Sequence, residues 1–576
     1  MGIFQTHFRK SQEIIDVELL PDAAEEGMLE VLSDEEEDGM LDVLSNEGMD
    51  LFDKRLSNKV FLANLHLLLF DMAEGALGWK FSEAVVDADG PSSLVEMLEW
   101  PARFRQNLTS AELTHLQRNA ACVDMSTRYS GIDTPVYAFA CLASDLGIED
   151  LAFQHLYSWE ENDLCREVLC QSSSESCVFG DMMGVMPIGT KKEMSKLDPG
   201  TDSSSLSREA AVRSAYKLIQ NTKIADRSFC SKHRRDCRCF PTRQKGRLTL
   251  EVAGTTCVAF SARGSGQRLA HFPSASVLFM WVRHILATLP LMILHECSPS
   301  FPIALLMFLL PLYSLFFSVE ACPTMIGYPM RRPRRWSCLL LKGGGVTPRA
   351  GARIEQLFES HACRVVVSAS EYLVAPDHML HRELMRLQMR RGAPSLASSD
   401  FVQSLPGGMR PRGDTQMLLC SKSGIDTEDV CFDMEQNAGF TSKPVSHGPL
   451  PTLTCHGTVW STKQKRPYIA AEHLLAQGWH VFPDIVPCTA VPAPFSAVIE
   501  SGDLKEQDLK KMAGNGMHAP WVGMLIGWVL ANIVFKDPLD EVKAEGESQA
   551  DGRSRSRSRS QRGRGARSSA ATTEIT

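Results

Sequence analysis

The spacing of apolar residues predicts a strand, a helix and a second strand in the middle of the chain. Residues 248–252 and 291–294 are short apolar runs with the length of buried strands. Between them, residues from about Ser274 to Leu286 have apolar positions at helical spacing. Two strands joined through a helix form a βαβ unit, whose parallel strands end at the same edge of a sheet. We therefore expect the residues that follow both strands to lie close together.

Further elements follow from the same pattern. Residues 336–341 form another apolar strand, and "HMLHRELMRLQMRRGAP" has the pattern of a basic amphipathic helix. The segment "GARIEQLFESHACRVVVSA" predicts a helix and then a strand, and residues 59–119 have a helical pattern. Residues 303–319 are almost wholly apolar, and Pro311 interrupts them, which favours a buried pair of helices. The alternative is a membrane span, for which about 17 residues is short.

The two ends of the chain differ from its middle in composition. Overall, 44% of the residues are hydrophobic and 22% are charged, which is typical of a globular protein. Residues 14–53 are acidic, and they predict either a solvated head or a helix that docks on a partner. Residues 553–569 are Arg-Ser and Arg-Gly repeats, which suit nucleic-acid phosphates, protein partners or a solubilising role. A net charge of −9 excludes a chain that is basic throughout.

The cysteines indicate a reducing compartment. Seventeen cysteines are scattered without the short, even spacing of a secreted disulfide scaffold, and the first residues lack the apolar core of a signal peptide. We expect a nuclear protein because of the Arg-Ser repeats, with the cytoplasm as the alternative and no membrane partner.

A thiol, an acid and a group of arginines follow the predicted strands. Cys257 comes shortly after the first strand and Glu296 at the end of the second. Arginines precede the third strand, at positions Arg331, Arg332, Arg334 and Arg335. A thiol, a carboxylic acid and a guanidinium together suit nucleophilic attack on an electron-poor ring whose nitrogen must be protonated.

These segments resemble the signature motifs of the C5-cytosine methyltransferase family, in the family's order. "GTTCVAFSARG" is similar to the Pro-Cys loop, "HECSPSF" to the Glu-Asn-Val motif and "GYPMRRPRRW" to the Gln-x-Arg-x-Arg motif. "KRPYIAAEHLLAQGW" resembles the motif that ends in Leu-Gln-Gly-Phe, and "MAGNGMHAPWVGMLIGWVL" resembles the closing Gly-Asn motif at Gly514 and Asn515. Upstream, "YSGIDTPVYAFACLASDLGI" resembles the Phe-x-Gly cofactor loop, and "HLYSWEENDLCREVL" and "CVFGDMMGV" follow it in order.

The resemblance implies a fold and a reaction. The fold would be an α/β Rossmann-like methyltransferase with a mostly parallel sheet, helices on both faces and a smaller target-recognition lobe. Cys257 would attack C6 of a flipped-out cytosine in DNA, while Glu296 donates to N3. Arg334 would hold the O2 edge of the base, with Arg332 in support. S-adenosyl-L-methionine would supply the methyl group that C5 receives.

The resemblance also assigns a cofactor site and leaves alternatives open. The cofactor residues would be Tyr129, Ser130, Gly131, Glu160, Asp181 and Asn515. RNA is an alternative substrate, because the chemistry at C5 and C6 is the same. An inactive nucleic-acid-binding scaffold is a further alternative, because Thr256 replaces the family's proline, Cys297 and Ser298 replace Asn-Val, and Met330 replaces the glutamine.

The motifs divide the chain into six predicted regions. These are an acidic head (1–58), a helical extension (59–120), a catalytic core (121–341) with an insertion at about 186–246, a target-recognition region (342–460), a segment that returns to the core (461–537) and the Arg-Ser tail (538–576). The basic amphipathic helix of the target-recognition region would face nucleic acid or solvent.

The insertion contains a possible zinc site. Cys230, His233, Cys237 and Cys239 offer four tetrahedral ligands within ten residues, although one residue between the last two cysteines is tight spacing for one ion. The alternative is a basic loop that contacts phosphates.

Overall fold

A ten-stranded sheet forms the centre of the described part of the chain. The computed structural model describes residues 79–80, 88–148, 153–171, 176–200, 204–241, 243–255, 272–390, 400–405, 408–436 and 444–536. The strands of this sheet are β1 (Trp79–Lys80), β2 (Val123–Arg128), β3 (Gln154–Trp159), β4 (Cys177–Phe179), β5 (Arg227–Cys230), β6 (Arg235–Arg238), β7 (Leu248–Gly254), β8 (Met292–Cys297), β9 (Tyr313–Ala321) and β10 (Arg334–Leu341).

The order of the strands makes the sheet doubly wound. The sequence across the sheet is β1-β9-β10-β8-β7-β2-β3-β4-β5-β6. Strands β4, β3, β2, β7 and β8 are parallel to their neighbours in this run, whereas β10 is antiparallel to both β8 and β9. The strand order reverses between β2 and β7, and ligands of open α/β sheets bind beyond the carboxyl ends of the strands at such a point. The predicted α/β fold, a mostly parallel Rossmann-like sheet with helices, is confirmed.

Helices connect and cover the strands. They are α1 (Leu94–Leu98), α2 (Trp100–Gln106), α3 (Ser110–Ala120), α4 (Thr134–Asp145), α5 (Asp163–Gln171), α6 (Ile188–Leu197), α7 (Ser205–Gln220), α8 (Phe272–Thr288), α9 (Ile303–Leu309), α10 (Glu355–His361), α11 (Asp377–Arg390), α12 (Phe401–Ser404), α13 (Met409–Lys422), α14 (Ala470–Ala476), α15 (Ser496–Ser501), α16 (Glu506–Asn515) and α17 (Ala519–Ala531). Because crossovers between parallel strands are right-handed, the helices of the two halves are expected on opposite faces of the sheet. Helix α7 packs against α8 in one layer, and α17 packs against α3 and α4 in the other.

Helix α17 lies at the centre of its layer. All of its residues are buried, as expected of a helix that is apolar on every side. Two glycines let it approach its neighbours closely. A Cβ at Gly523 would lie 2.1 Å from the ring of Trp100, and a Cβ at Gly527 would lie 2.5 Å from the ring of Phe104.

The remaining strands form two small sheets. Strand β11 (Val346–Pro348) pairs with β15 (Ile533–Phe535), which joins the region after β10 to the end of α17. Strands β12 (Cys431–Asp433), β13 (Val459–Ser461) and β14 (Arg466–Pro467) form the other sheet. A separate hydrophobic cluster lies beside this sheet and includes Met409, Phe432 and Trp460.

The central βαβ prediction is confirmed. Strands β7 and β8 are parallel neighbours and α8 connects them. The helix predicted in residues 378–394 is also present as α11. Within the predicted helical extension, the described residues form helices α1 to α3, whereas Trp79–Lys80 is a strand that pairs with β9.

Two predictions of secondary structure are wrong. Residues 303–319 form one helix, α9, followed by strand β9, rather than a pair of helices. Pro311 ends the helical hydrogen-bonding pattern, and the aromatic and β-branched residues after it pair with β10. The strand predicted after α10 is also absent from the described residues, where Cys363 and Arg364 form isolated bridges only. Among the described helices, none has the length and apolarity that a bilayer crossing requires.

Candidate active site

A tight turn follows β2 at the point where the strand order reverses. Tyr129, Gly131 and Asp133 have φ values of 54°, 56° and 58°, so the backbone is left-handed at three positions in five. Such a turn exposes backbone N–H groups at the start of α4. The space that a Cβ would take at Gly131 is open to 4 Å, which leaves room for a ligand against the backbone.

The predicted residues Tyr129 and Ser130 are held rigidly in this turn. The Tyr129 hydroxyl donates to the carbonyl oxygen of Val277 in α8 at 2.8 Å, and burial raises its pKa far above the ordinary value. The Ser130 hydroxyl lies 2.9 Å from the Thr127 hydroxyl and donates to the carbonyl of Trp159 at 3.3 Å. Tyr129 therefore positions an aromatic ring beside the turn, whereas Ser130 fixes the turn to β3.

Glu160 follows β3 directly and faces the same turn. Its two carboxylate oxygens accept the N–H groups of Gly131 at 2.8 Å and Asn162 at 2.9 Å. Burial raises the pKa of Glu160, although these two donors lower it in part. A carboxylate has about four lone-pair sites, so Glu160 can accept further hydrogen bonds from a pair of ligand hydroxyls.

Asp181 follows β4, the next strand of the sheet. We call the edge formed by the carboxyl ends of these parallel strands the rim. It is exposed, and its carboxylate accepts the N–H of Met183 at 2.9 Å at the start of a short 3₁₀ turn. Tyr129, Gly131, Glu160 and Asp181 thus follow the ends of three neighbouring parallel strands. This arrangement suits a ligand that extends along the rim.

Thr134 is a further polar residue beside this turn, and the sequence analysis did not identify it. It begins α4 and is 1% exposed, and its hydroxyl has no hydrogen-bond partner among the described residues. The position of a Cβ at Gly516 is 3.7 Å from this hydroxyl, so the end of α16 lies against the start of α4. A buried hydroxyl without a partner at a helix N-terminus fits a polar ligand group.

Asn515 lies at the end of α16, beside this position. It is exposed, and its side-chain oxygen accepts the thiol of Cys455 at 2.8 Å. The preceding Gly514 is required by close packing, because a Cβ there would lie 2.5 Å from the backbone nitrogen of Cys455. Of the residues predicted for the cofactor, Tyr129, Ser130, Gly131 and Glu160 therefore share one turn, and Asp181 follows the next strand. Asn515 lies next to Gly516, which approaches the start of α4.

The end of β7 lies beside both the turn of residues 129–133, called here the Tyr129 turn, and the predicted acid. A Cβ at Gly254 would lie 3.3 Å from an oxygen of Glu296 and 3.8 Å from the carbonyl oxygen of Tyr129. Gly254 also pairs with Glu296 in the parallel ladder between β7 and β8. The strand that precedes Cys257 therefore lies between the Tyr129 turn and the carboxyl group of Glu296.

Glu296 and Arg334 form an ion pair at this rim. An oxygen of Glu296 lies 2.8 Å from Nε of Arg334, and the two side chains are 11% and 16% exposed. Trp336 is directly opposite Glu296 in the antiparallel ladder, so Arg334, two residues earlier, is on the same face of the sheet. Arg334 also donates to the carbonyl of Pro333 at 2.8 Å, which leaves other N–H groups of the guanidinium for an acceptor.

Arg332 contacts a different part of the protein from the ion pair of Glu296 with Arg334. It is buried, and its guanidinium donates to the carbonyl of Gly514 at 3.2 Å. Arg332 thereby connects the loop before β10 to the loop that carries Asn515. Its geometry is that of a positioning residue.

Cys257 and Thr256 lie outside the described residues. Thr255, two residues before Cys257, is described and is buried. Its N–H donates to the carbonyl of Glu296 at 3.2 Å, and its hydroxyl lies 2.7 Å from Nε2 of His295. Burial lowers the pKa of His295 to about 3, so the ring is neutral at physiological pH. The chain that leads to Cys257 is thus fixed to the strand that carries Glu296.

The motif around Glu472 has a structural role. Glu472 is fully buried and forms a two-pronged ion pair with Arg466 at 2.7 and 2.8 Å. Gln477 donates to the carbonyl of Ala513 at 2.8 Å and so fastens α14 to α16. The positive φ of 86° at Gly478, together with the 2.2 Å approach of Pro520, requires glycine there. These residues therefore stabilise the end of α16, where Asn515 lies.

A buried ion pair beneath the rim was not predicted. Arg128 and Glu251 are both fully buried and form an ion pair between β2 and β7. Glu251 also accepts the hydroxyl of Ser126, and Arg128 donates to the hydroxyl of Tyr157 at 3.1 Å. Burial raises the pKa of Glu251, against the opposing effect of Arg128. The two residues are distant in sequence and become neighbours only through the order of the strands.

The predicted zinc ligands need one correction. Cys230, His233 and Cys237 lie together, and the fourth member of their group is Cys177 of β4 rather than Cys239. Cys239 is fully buried, and its sulfur lies 3.9 Å from the carbonyl oxygen of Cys237. The sulfur of Cys239 is thus not among the four ligand atoms that lie within 4.8 Å of one another.

Two arginines of the basic helix α11 bind groups of the protein itself. Arg382 donates to the carbonyl oxygens of Ile499 and Glu500, and Arg386 forms an ion pair with Glu383 on the same helix. At least these two arginines therefore stabilise the protein itself.

Comparisons with known proteins give structural similarity without sequence matches. No protein-family model matches the chain, and no curated protein sequence gives a significant match. The chain is similar to the structure of a protein encoded within a prophage of E. coli and assigned as a DNA modification methyltransferase, with 12% identity, a TM-score of 0.37, and coverage of 71% of this chain and 97% of that one. It is similar to the S. pombe Dnmt2 methyltransferase with 11% identity, a TM-score of 0.34, and coverage of 71% and 98%. It is also similar to the Entamoeba histolytica methyltransferase EhMeth with 13% identity, a TM-score of 0.36, and coverage of 71% and 98%. All three of these structures are of methyltransferases, and the similarity spans almost the whole length of each.

Proposed function

We propose that this protein is an S-adenosyl-L-methionine-dependent methyltransferase that acts on C5 of cytosine in DNA, with Cys257 as its nucleophile. The observation that carries the proposal is the meeting of three elements at one rim. Gly254, which leads toward Cys257, lies beside both the Tyr129 turn and the ion pair of Glu296 with Arg334. The acid and the guanidinium thus meet beside the strand that leads toward Cys257, and a thiol, an acid and a guanidinium are the groups that attack on a cytosine ring requires.

The proposed reaction has two stages, addition of the thiolate to the ring and its later elimination. The Cys257 thiolate adds to C6 while Glu296 gives a proton or a hydrogen bond to N3, so the electrons of the C5–C6 bond become available at C5. S-adenosyl-L-methionine, when bound, supplies an electrophilic methyl group. Loss of the C5 proton to a base then returns its bonding electrons to the ring, and Cys257 leaves as thiolate. The cytosine must leave the stack for this attack, since neighbouring bases shield C5 and C6.

Glu296 and Arg334 would orient the base. The guanidinium is fixed by Glu296 and by the carbonyl of Pro333, and its remaining N–H groups can donate to the cytosine O2 edge. Arg332 would keep the Asn515 loop in place through its bond to Gly514.

The crevice fits the cofactor in three respects. Gly131 leaves open space beside the backbone, Glu160 can accept two ribose hydroxyls, and the hydroxyl of Thr134 lacks a partner among the described residues. Asp181 would contact the adenine and Tyr129 would pack beside it. We assign to these residues binding and orientation of the cofactor.

We further propose that residues 342–460 recognise the target, and that the Arg-Ser tail directs the protein to the nucleus and contacts phosphates. The loop before β10 touches this region, because the N–H of Arg331 donates to the carbonyl of Leu450 at 2.9 Å. A target bound there would lie next to Arg334.

Methyl transfer tests the proposed function directly. Full-length protein is incubated with cofactor carrying a labelled methyl group and with cytosine-containing DNA or RNA. We expect label in DNA, no label with Cys257→Ser, and unchanged transfer with Cys488→Ser, a cysteine outside the rim. Transfer to RNA alone would replace the substrate assignment.

A trapping experiment tests the covalent step. In DNA with 5-fluorocytosine, fluorine replaces the C5 proton and the adduct cannot eliminate. We expect a complex between protein and DNA that survives denaturation, and a peptide carrying the base at Cys257. Intact cofactor binding without transfer or trapping on either polymer would overturn the proposal in favour of an inactive scaffold.

A further inference from the structure

Three cysteines and a histidine converge at the edge of the sheet. The β5–β6 hairpin lies beside β4, and this brings Cys177 next to Cys230, His233 and Cys237. Three sulfur atoms and one ring nitrogen all lie within 4.8 Å of one another. These residues are outside the candidate active site, because Cys177 begins β4 whereas Asp181 follows its end.

The distances within this group match a tetrahedral ion. Nδ1 of His233 lies 3.5 Å from the sulfur of Cys177, 3.4 Å from that of Cys230 and 3.5 Å from that of Cys237. One ring nitrogen has a single hydrogen or a single lone pair, so it cannot form three equal hydrogen bonds. Zinc bonds of about 2.3 Å to sulfur and about 2.0 Å to nitrogen at tetrahedral angles separate nitrogen from sulfur by roughly 3.5 Å.

The backbone around Cys230 directs two N–H groups at its sulfur. Its sulfur accepts the N–H of Val178 at 3.3 Å and the N–H of His233 at 3.5 Å. Two N–H donors on one sulfur stabilise negative charge, and a zinc ion with three thiolates and one imidazole carries a net charge of −1. The hairpin is basic, since Arg234 and Arg235 are exposed at its turn. These cations offset the charge of such a site.

The two strands of the hairpin bury little apolar surface. Its strands have four residues each, and of these only Cys230 is buried. Phe229, the large apolar side chain of the hairpin strands, is 52% exposed. A short hairpin that buries so little apolar surface requires another source of stability, which small protein elements often take from a metal ion.

We propose that Cys177, Cys230, His233 and Cys237 bind one Zn²⁺ in a structural site that fastens the β5–β6 hairpin to β4. Four protein ligands leave no open position for water or substrate, which is the property of a structural site. This proposal does not depend on methyl transfer, because its ligands lie outside the rim that carries Glu296.

Metal analysis of ligand variants tests this proposal. Full-length protein is purified under reducing conditions without chelator, and its zinc is measured by mass spectrometry. We expect about one zinc per chain in the unmodified protein and in Cys239→Ser, and less than about a tenth of that in Cys177→Ser. Cys239 is the matched control, since it lies in the same segment outside the group. Zinc lost from Cys239→Ser and kept by Cys177→Ser would overturn the ligand assignment, and metal-free unmodified protein would overturn the site.

Two measurements keep the test decisive if Cys177→Ser does not fold. His233→Cys retains four soft ligands and should keep zinc, whereas His233→Ala should lose it. Replacement of zinc by Co²⁺ in the unmodified protein should give the visible absorption of a tetrahedral, thiolate-bound ion. A chelator should speed tryptic cleavage in the basic hairpin. Octahedral Co²⁺ absorption, or cleavage that the chelator leaves unchanged, would contradict the proposal.

Discussion

Glu296 and Arg334 come from different strands and meet at 2.8 Å on one face of the sheet. Their strands are antiparallel neighbours, and the register that sets Trp336 opposite Glu296 also sets Arg334 beside it. A planar guanidinium can hold a carboxylate and still present N–H groups to a base edge, which an ammonium cannot do with the same geometry.

Replacement of this arginine should therefore reduce catalysis even when the charge is kept. We expect Arg334→Lys to lower kcat/KM for methyl transfer by roughly 10²-fold, because one preorganised set of donors is lost. The measurement is steady-state transfer to DNA under saturating cofactor. Arg331→Lys, in the same basic segment, should stay within about threefold of the unmodified protein. Equal losses in both variants would assign the effect to general attraction of DNA.

The Tyr129 turn gives a second prediction, which concerns only the affinity for the cofactor. Gly131 has a φ of 56° and faces open space, so an alanine there strains the turn and fills the space next to Glu160. We expect Gly131→Ala to weaken cofactor binding by at least about tenfold, or 1.4 kcal/mol, in calorimetric titration. Gly147→Ala is the matched control: Gly147 also has a positive φ, 67°, and open space, but it lies after the far end of α4. A similar loss of affinity in both variants would show that backbone strain, rather than the cofactor site, causes the change.

The sequence allowed the residues at the strand ends to be placed, but not the buried polar residue beside them. Glu160 and Glu296 could be placed from the sequence because each stands at the end of a strand-like run, where rim residues of parallel sheets are found. Thr134 could not be recognised, since the lack of a partner for its hydroxyl is a property of the packed structure. Its one signal in the sequence is its position three residues after Gly131, at the start of a helix.

Contacts between distant strands account for the other omissions. Cys177 belongs to the group of Cys230 only because the hairpin folds back beside β4, whereas local spacing pointed to Cys239. The strand in residues 313–321 was missed for a different reason. Its apolar run continues from α9 without a polar break, and only Pro311 marks the change from helix to strand.

The buried pair of Arg128 with Glu251 predicts a characteristic pattern of stabilities. Removal of one partner leaves an uncompensated charge at the centre of the sheet, so Arg128→Met should destabilise the protein by about 3–5 kcal/mol. Removal of both partners leaves no such charge, and the double variant Arg128→Met with Glu251→Met should recover much of that loss. Thermal unfolding of the unmodified protein, the single variants Arg128→Met and Glu251→Met, and the double variant, all at equal concentration, measures this. A double variant as unstable as the sum of the two single variants would show that the pair is not coupled.

Glu506, at the start of α16, makes the stability of the protein depend on pH. Burial raises its pKa to about 7, with a further contribution from Glu383, while Lys510, the N–H of Ala470 and Arg386 oppose the shift. The folded state therefore holds a proton that the unfolded state releases near its ordinary pKa of 4.5. Between these two values the folded state binds more protons, so its stability falls as the pH rises from about 4.5 to about 7 and is constant above that range with respect to this group.

Replacement by glutamine separates this effect from other titrations. Glu506→Gln keeps an oxygen that can accept the N–H of Ala470 at the observed 2.6 Å, but it carries no charge at any pH. We expect the variant to match the unmodified protein near pH 4.5 and to be more stable at pH 8, by on the order of 1–3 kcal/mol. Thermal unfolding across this range, with the exposed Glu500→Gln as control, measures the difference. If both variants track the unmodified protein at every pH, the carboxyl of Glu506 titrates at its ordinary value and the buried environment assigned to it is wrong.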